Sequence, residues 1–339
     1  MIRQYWNQVQ SRLSVSQLPK ISQRFNFSPT PKSFESFAVI SCFEQHLILT
    51  SIKANTSKMI IDDCFSIDLP THLIGESGVE NVNEVSQIIL DLMDVMSLSS
   101  CPVLLLLSSS KFSHHSFDVD QISDWDLSNS KIRGKSPFLP DETLIHLSPC
   151  DNQPSGKPSI CGVSYANTHF IYSWVDVLRA IGQPILGISP LYSGLIDWLQ
   201  DFKDPQKSAI LCDVEINCCN ILVKNQSMAI TSLQLPFGTA LYSDQSSRLL
   251  DQFFNRLQSS LDVVKDEQAL QGKISYVISG YGLSNFGPSF PMTFRSWRLL
   301  SGLTSGLMEV SDNLKADELG RHQYLFPQLA VGLSAYLQP

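Results

Sequence analysis

Few residues in this chain have both the type and the spacing for chemistry. His114-His115 with Asp118 and Asp120 has the composition of a metal site. Adjacent residues on a strand point to opposite faces, so the two imidazoles do not readily share one ion, and a solvated strand or loop is the simpler reading. Asp213 is an acid inside an apolar run, and Gly280-Tyr281-Gly282 follows a short buried strand. Gly-x-Gly lets backbone approach a ligand, but it serves tight turns as readily. There is no Gly-x-Ser-x-Gly, no Ser/His/Asp arrangement and no Walker A lysine loop, so no catalytic residue and no metal ligand is assigned. The eight cysteines contain no CxxC pair, and the adjacent Cys218-Cys219 cannot hold zinc alone. Reduced, buried thiols are expected.

The elements that must position these residues follow from hydrophobic pattern. Residues 34–69 read as a three-strand meander. Val82, Val85, Ile88, Ile89, Leu92, Val95 and Met96 form a helical stripe, followed by a buried strand at 102–108. A strand at 159–164 leads through Asn167, an N-cap, into a helix bearing Phe170, Trp174, Val177, Leu178 and Ile181, which Gly182 stops. A strand at 184–188 and a helix at 191–199 come next. The stretch 207–240 reads as a hairpin, with runs 209–223 and 227–235 around Lys224-Asn225-Gln226, closed by Pro236-Phe237-Gly238. A helix follows, with its stripe at Leu249, Leu250, Phe253, Phe254 and Leu257, then a strand at 274–279. A last helix is expected at 325–337, with a small-residue face of Ala330, Gly332 and Ala335 that suits close packing on the first domain.

Composition sets the outer bounds. The 339 residues suffice for two ordinary domains. A net charge of −8 with only 17% charged residues argues against broad nucleic-acid binding. No apolar run is long enough to span a bilayer, the N-terminus lacks the apolar core of a signal peptide, and the chain reads as soluble. Residues 1–33 stand apart. They carry Arg3, Arg12, Lys20, Arg24 and Lys32 with no acid, and Ile2, Tyr5, Trp6, Val9 and Leu13 share one helical face. That pattern suits a helix docked on the protein's own body, or an anchor on an anionic membrane surface or a partner. Residues 28–31 read as a linker.

At the stretch 207–240 the chain resembles a known family. Asp213 in a strand, small polar residues after it, a hairpin, then Leu235-Pro236-Phe237-Gly238 and a helix are similar to the phosphate-loop hairpin of actin-like ATPases. The likeness is to the PilM family of type IV pilus assembly proteins, with the GspL cytoplasmic domain next. Residues 136–147 (SPFLPDETLIHL) resemble the family's PFPLDEV stretch. The strand–helix–strand–helix run before 200 resembles the insert and return of PilM and of the cell-division protein FtsA. The resemblance runs from about residue 34 to the C-terminus. It implies an α/β, actin-like (ribonuclease H-like) two-domain fold with an inserted subdomain in the first domain. The implied division is a basic extension at 1–33, a first domain at 34–111, an insert at 112–184, a return at 185–205, a second domain at 206–321 and a closing helix at 322–339.

The resemblance also implies a nucleotide site for ATP and Mg²⁺, drawing on Asp213, Asn217, Gly238, Gly280 and Gly282. Two departures count against it. The first phosphate loop falls near Ser41 and Phe43, where bulk opposes an anion cradle, and Glu215 stands where the family has Gly. A carboxylate facing phosphate across about 4 Å costs about 4 kcal/mol at an effective dielectric near 20. Nucleotide is therefore expected to bind weakly or not at all, and the chain is read as a pseudo-ATPase rather than an enzyme. The implied function is a cytoplasmic scaffold, peripheral to the inner membrane. It would hold the tail of a PilN-like inner-membrane partner among other type IV pilus components. The groove for that tail is expected to draw on 102–108, 138–147 and the helix after Asn167, with 109–115 as an open sheet edge. The rival readings are an active actin-like ATP-binding switch or ATPase, and a GspL-like component of a type II secretion system.

Overall fold

The structure is a computed structural model that describes residues 36–43, 45–54, 59–118, 130–147, 160–192, 195–196, 199, 208–226, 229–242, 247–289, 298–299 and 308–310. The expected helices at 1–33 and 325–337 lie outside the described residues.

The first sheet grows from two strands that are apolar on both faces. In β1 (Ser36–Phe43), alternate residues Ala38, Ile40 and Cys42 enter one core while Phe37, Val39 and Phe43 enter another. A strand buried on both sides must read as a continuous apolar run, and β6 (Val103–Leu107, VLLLL) is the purest case here. β2 (His46–Ala54) and β3 (Met59–Asp68) complete an antiparallel meander with β1. A small hairpin, β4 (Ile74–Gly75) with β5 (Gly78–Val79), leads into α1 (Val82–Val95). Asn81 caps α1 by accepting from the Glu84 N–H at 3.2 Å, and Glu84 accepts in return from the Asn81 amide at 2.9 Å. The buried face of α1 is Val85, Ile89, Leu92 and Met93. Val95, placed by pattern on that stripe, is 73% exposed instead, at the helix end.

Between β6 and its neighbour β10 the chain makes a long excursion. A 3₁₀ turn (Ser109–Lys111) leads into β7 (Phe112–Asp118), then a single helical turn (Ser130–Arg133), β8 (Thr143–Leu147) and β9 (Ile160–Asn167). α2 (Thr168–Ile181) brings it back. Asn167 caps α2 through the Phe170 N–H, and Gly182 ends it at φ 74°. α2 packs beside α1 over the first sheet, with Trp174, Val177 and Leu178 in that core. β10 (Ile185–Pro190) then pairs in parallel with β6.

The second sheet repeats this plan. β11 (Ser208–Val214), β12 (Cys219–Lys224) and β13 (Ile230–Leu235) form an antiparallel meander. The expected hairpin is thus three strands, because the continuous apolar run conceals a tight turn at 215–218. α3 (Ser247–Glu267) covers one face through Phe253, Phe254, Leu257 and Leu261. β14 (Ile274–Ser279) joins β11 in parallel, and β15 (Arg298–Leu299) joins β14. In both sheets, then, a three-strand meander gains two parallel strands beside its first strand. β16 (Met308–Val310) pairs with β3 at the far edge of the first sheet. The other face of the second sheet is covered by Tyr192, Leu195, Ile196 and Leu199, which follow β10, so the first sheet's chain also packs the second.

The excursion strands β7, β9 and β8 extend the second sheet beyond β13, giving the order β15-β14-β11-β12-β13-β7-β9-β8. This corrects the expected open edge at 109–115. β7 is an interior strand, laddered to β9 along its length and joined to β13 at Thr231↔His115. Among the described residues the outermost strand on this side is β8. A row of polar groups crosses these strands, with His114 aligned on Ser164 and Ser164 on His146. The His114 N–H donates to Ser232 Oγ at 2.6 Å, and its Nδ1 lies 3.0 Å from Ser164 Oγ. His114 is buried, not solvated as its polar neighbours suggest. Among the described residues, no three His, Cys, Asp or Glu side chains could hold a metal ion. Nor is any helix long and apolar enough to cross a membrane.

Burial lowers three imidazole pKa values from the usual 6.5, that of His114 to about 3 and those of His115 and His146 to about 4. The unfolded chain therefore binds protons below pH 6.5 that the fold refuses. Stability is full above pH 6.5 and falls as pH drops toward 4, by about 1.4 kcal/mol per pH unit for each histidine that stays neutral. Denaturation midpoints measured from pH 7.5 to 4.5 should show this slope, and His114→Gln should make it shallower.

Candidate functional site

The two meanders point their first turns at each other. From the first sheet come the β1–β2 turn with Phe43 and His46, the end of β3 at Asp68, and Ser108 just beyond β6. From the second come the β11–β12 turn with Glu215, Ile216 and Asn217, and Gly280-Tyr281-Gly282 after β14, where the chain enters a 3₁₀ segment (Tyr281–Ser289).

The five residues expected to form a nucleotide site do converge. Asp213 is fully buried near the end of β11, and Asn217 is exposed at the tip of the turn. Gly238, Gly280 and Gly282 all press on the backbone of that same turn. A Cβ at Gly238 would overlap the carbonyl oxygens of Glu215 and Ile216, and one at Gly282 would overlap the carbonyl of Glu215. One at Gly280, where φ is +114°, would overlap the backbone of Val214 and sit 2.7 Å from Asp213 Oδ1. The N–H groups of Thr239 and Ala240 donate to the carbonyls of Glu215 and Ile216 at 3.2 and 2.7 Å. These glycines admit the protein's own backbone.

Glu215 was expected to face an open cleft. It is instead 3% exposed, with its carboxylate turned inward. Oε2 accepts from Ser108 Oγ at 2.6 Å and Oε1 from the Asn220 amide at 3.0 Å, so one carboxylate joins the end of β6 to β12. Burial of the thiol and then the Glu215 charge push up Cys218, while burial, then Asp213, then Glu215 push up Cys219. All seven described cysteines are buried, and among the described residues none forms a disulfide.

The aromatic residues complete the closure. The Tyr281 ring stacks on Phe43 at 4.9 Å and on His46 at 5.2 Å. Its hydroxyl lies 2.7 Å from His46 Nε2, and His46 Nδ1 lies 2.6 Å from Asp68 Oδ1. With a hydrogen on Nδ1 the imidazole donates to Asp68, while its Nε2 meets the phenol hydroxyl. Sequence reasoning missed Tyr281, His46, Asp68 and Ser108. The available signal was the bulky aromatic inside Gly280-Tyr281-Gly282, which matches the bulk of Phe43 opposite.

What remains open is a cavity of about 200 Å³ lined by Phe43, Gln45, His46, Asp68, Leu69, Glu215, Ile216 and Asn217. Small-molecule sites usually offer about 300–1,000 Å³. Among the described residues the lining includes the acids Asp68 and Glu215 and no Lys or Arg, the reverse of a phosphate cradle. These groups do not fit a triphosphate.

Comparison with known proteins places the fold. No sequence-family model matches the chain, and no curated protein matches it. Among solved structures, it is similar to a PilM–PilN type IV pilus biogenesis complex, with a TM-score of 0.67 and 14% identity over 91% of this chain and 100% of the other. Two fainter likenesses are to a Bacteroides thetaiotaomicron protein of actin-like ATPase fold (TM-score 0.48, 7% identity, covering 86% and 96%) and to the cytoplasmic domain of EpsL, an inner-membrane component of the Vibrio cholerae type II secretion system (0.43, 12%, 87% and 94%). With the repeated sheet plan, the first likeness gives the chain the actin-like two-domain α/β fold.

Gly280 and Gly182 both have positive φ, but only Gly280 is pressed by backbone. Gly182→Ala should cost about 1 kcal/mol, the left-handed penalty alone. Gly280→Ala should cost about 3 kcal/mol or more. Urea denaturation of the two variants checks this, and equal costs would mean that the 214–216 turn does not press on Gly280.

Proposed function

We propose that this chain is a cytoplasmic scaffold of a type IV pilus assembly machine, peripheral to the inner membrane, and that it works without nucleotide. It would take the N-terminal tail of an inner-membrane PilN-like partner. The observation that carries the reading is a fold like that of the PilM–PilN complex whose nucleotide cleft is filled by Phe43, Tyr281 and an inward-turned Glu215. A cleft so filled favours a binding role over an ATPase, and Asp213, Asn217, Gly238, Gly280 and Gly282 then serve as its frame. We take 34–111 with 185–205 as the first domain, 206–321 as the second and 112–184 as the insert, with α2 packed on the first sheet.

For the partner's tail, β8 is the edge of choice. Among the described residues it is the outermost strand of the eight-stranded sheet, and its outer side could add an extended peptide through main-chain hydrogen bonds. Leu139, just ahead of it, is 61% exposed beside half-buried Phe138 and offers an apolar anchor. β6, once expected in this groove, is buried and paired on both sides.

Two measurements test the reading. Calorimetry with Mg-ATP should detect no binding, and a sub-micromolar dissociation constant would sink it. Leu139→Asp should leave the melting temperature unchanged and weaken binding of a synthetic tail peptide about tenfold or more. Unchanged affinity would rule out the β8 edge.

A further inference from the structure

Among the contacts at the cleft that cross from one sheet's lobe to the other, two use buried side chains. The first is the Tyr281 ring from the second lobe, seated against Phe43 and His46 of the first, with its hydroxyl on His46. Tyr281 is 7% exposed and belongs to the same core as Phe37, Val39, Leu104 and Leu106, so a residue of the second lobe completes the first lobe's hydrophobic interior. The second is the Glu215 carboxylate, which takes one hydrogen from Ser108 of the first lobe and one from Asn220 of its own.

These contacts cannot easily let go. Glu215 sits on a turn pressed by three glycines and hydrogen-bonded through its carbonyl to Thr239, so its backbone cannot swing away. Separating the lobes would strip a buried carboxylate of a donor, which is far costlier than breaking an exposed pair. Parting Tyr281 from Phe43 would expose two aromatic faces and leave His46 without its phenol.

We propose that these side chains are a built-in latch. Tyr281 and Glu215 fix the two lobes in one relative position in the ligand-free chain, the part that a molecule bound between the lobes would otherwise play. This rests on the reading of a filled nucleotide cleft given above. Under it, the scaffold presents a single constant surface to its partner and has no open and closed states to switch between.

Amide hydrogen exchange on the full chain tests the latch at residues 45–47, 108 and 280–285. In the wild type, exchange there should be slow and unaffected by Mg-ATP. Tyr281→Ala should speed it about 10- to 100-fold on both sides of the cleft, the combined loss of a stacked ring and a hydrogen bond. Tyr281→Phe, which keeps the ring and loses the hydroxyl, should speed it less. Ser108→Ala should act at 108 and 215–218. Should Tyr281→Ala fail to fold, the two milder variants carry the test. Wild-type exchange rates in the variants, with no effect of Mg-ATP, would overturn the latch alone. Slower wild-type exchange on adding Mg-ATP would overturn the filled-cleft reading beneath it.

Discussion

A carboxylate out of contact with water must be given hydrogen-bond donors, and the geometry of this molecule follows from that demand at Glu215. The donors come from Ser108 and Asn220, one on each sheet. To hold the acid there, the β11–β12 turn must pass very close to the segments after β13 and β14. Only glycine tolerates that approach, which accounts for Gly238, Gly280 and Gly282 together. With Gly280 and Gly282 so placed, the residue between them has its side chain sent across to Phe43 and His46. Removing the acid from this account leaves the three glycines and the tyrosine without a common cause.

The strands and helices were largely legible in the sequence because their burial is extreme. β1 and β6 are apolar on both faces, α1, α2 and α3 carry clear stripes, and the cap and stop of α2 stand at Asn167 and Gly182. What misled was also a matter of burial. The turn after Val214 was lost because Ile216, Cys218 and Cys219 continue the apolar composition of the strands around them. His114 looked solvated because a row of Ser and His reads as surface, whereas it is buried between Ser232 and Ser164 on the strands either side, each within hydrogen-bond distance. Strand pairing between segments more than a hundred residues apart leaves no local mark, so the interior position of β7 could not be read.

The five residues of the expected nucleotide site were found together, yet their neighbours decide what that means. A glycine's bare α-carbon admits any close partner, whether a phosphate or a peptide carbonyl. The spacing of glycines is the same in either case. Phe43, Glu215 and Tyr281 separate the two, since each fills space or reverses charge where an anion would need room and hydrogen-bond donors. The motif gives a place in the fold, and the side chains beside it give its use.

The joining of β7 to β13 also bears on how the chain comes to be made. His114 and Ser232 are 118 residues apart in sequence. At about 5–20 residues per second, a ribosome needs roughly 6–24 s to deliver the second after the first. The strands β7, β8 and β9 are complete only at Asn167, so for the 63 residues up to Ile230, roughly 3–13 s, the flank of β7 that β13 will take is bare. Such a flank invites pairing with another chain. The histidines and serines along it make that nascent edge polar and a poor template for aggregation. A row that looks like an oddity in the finished interior is thereby suited to the period before the interior exists.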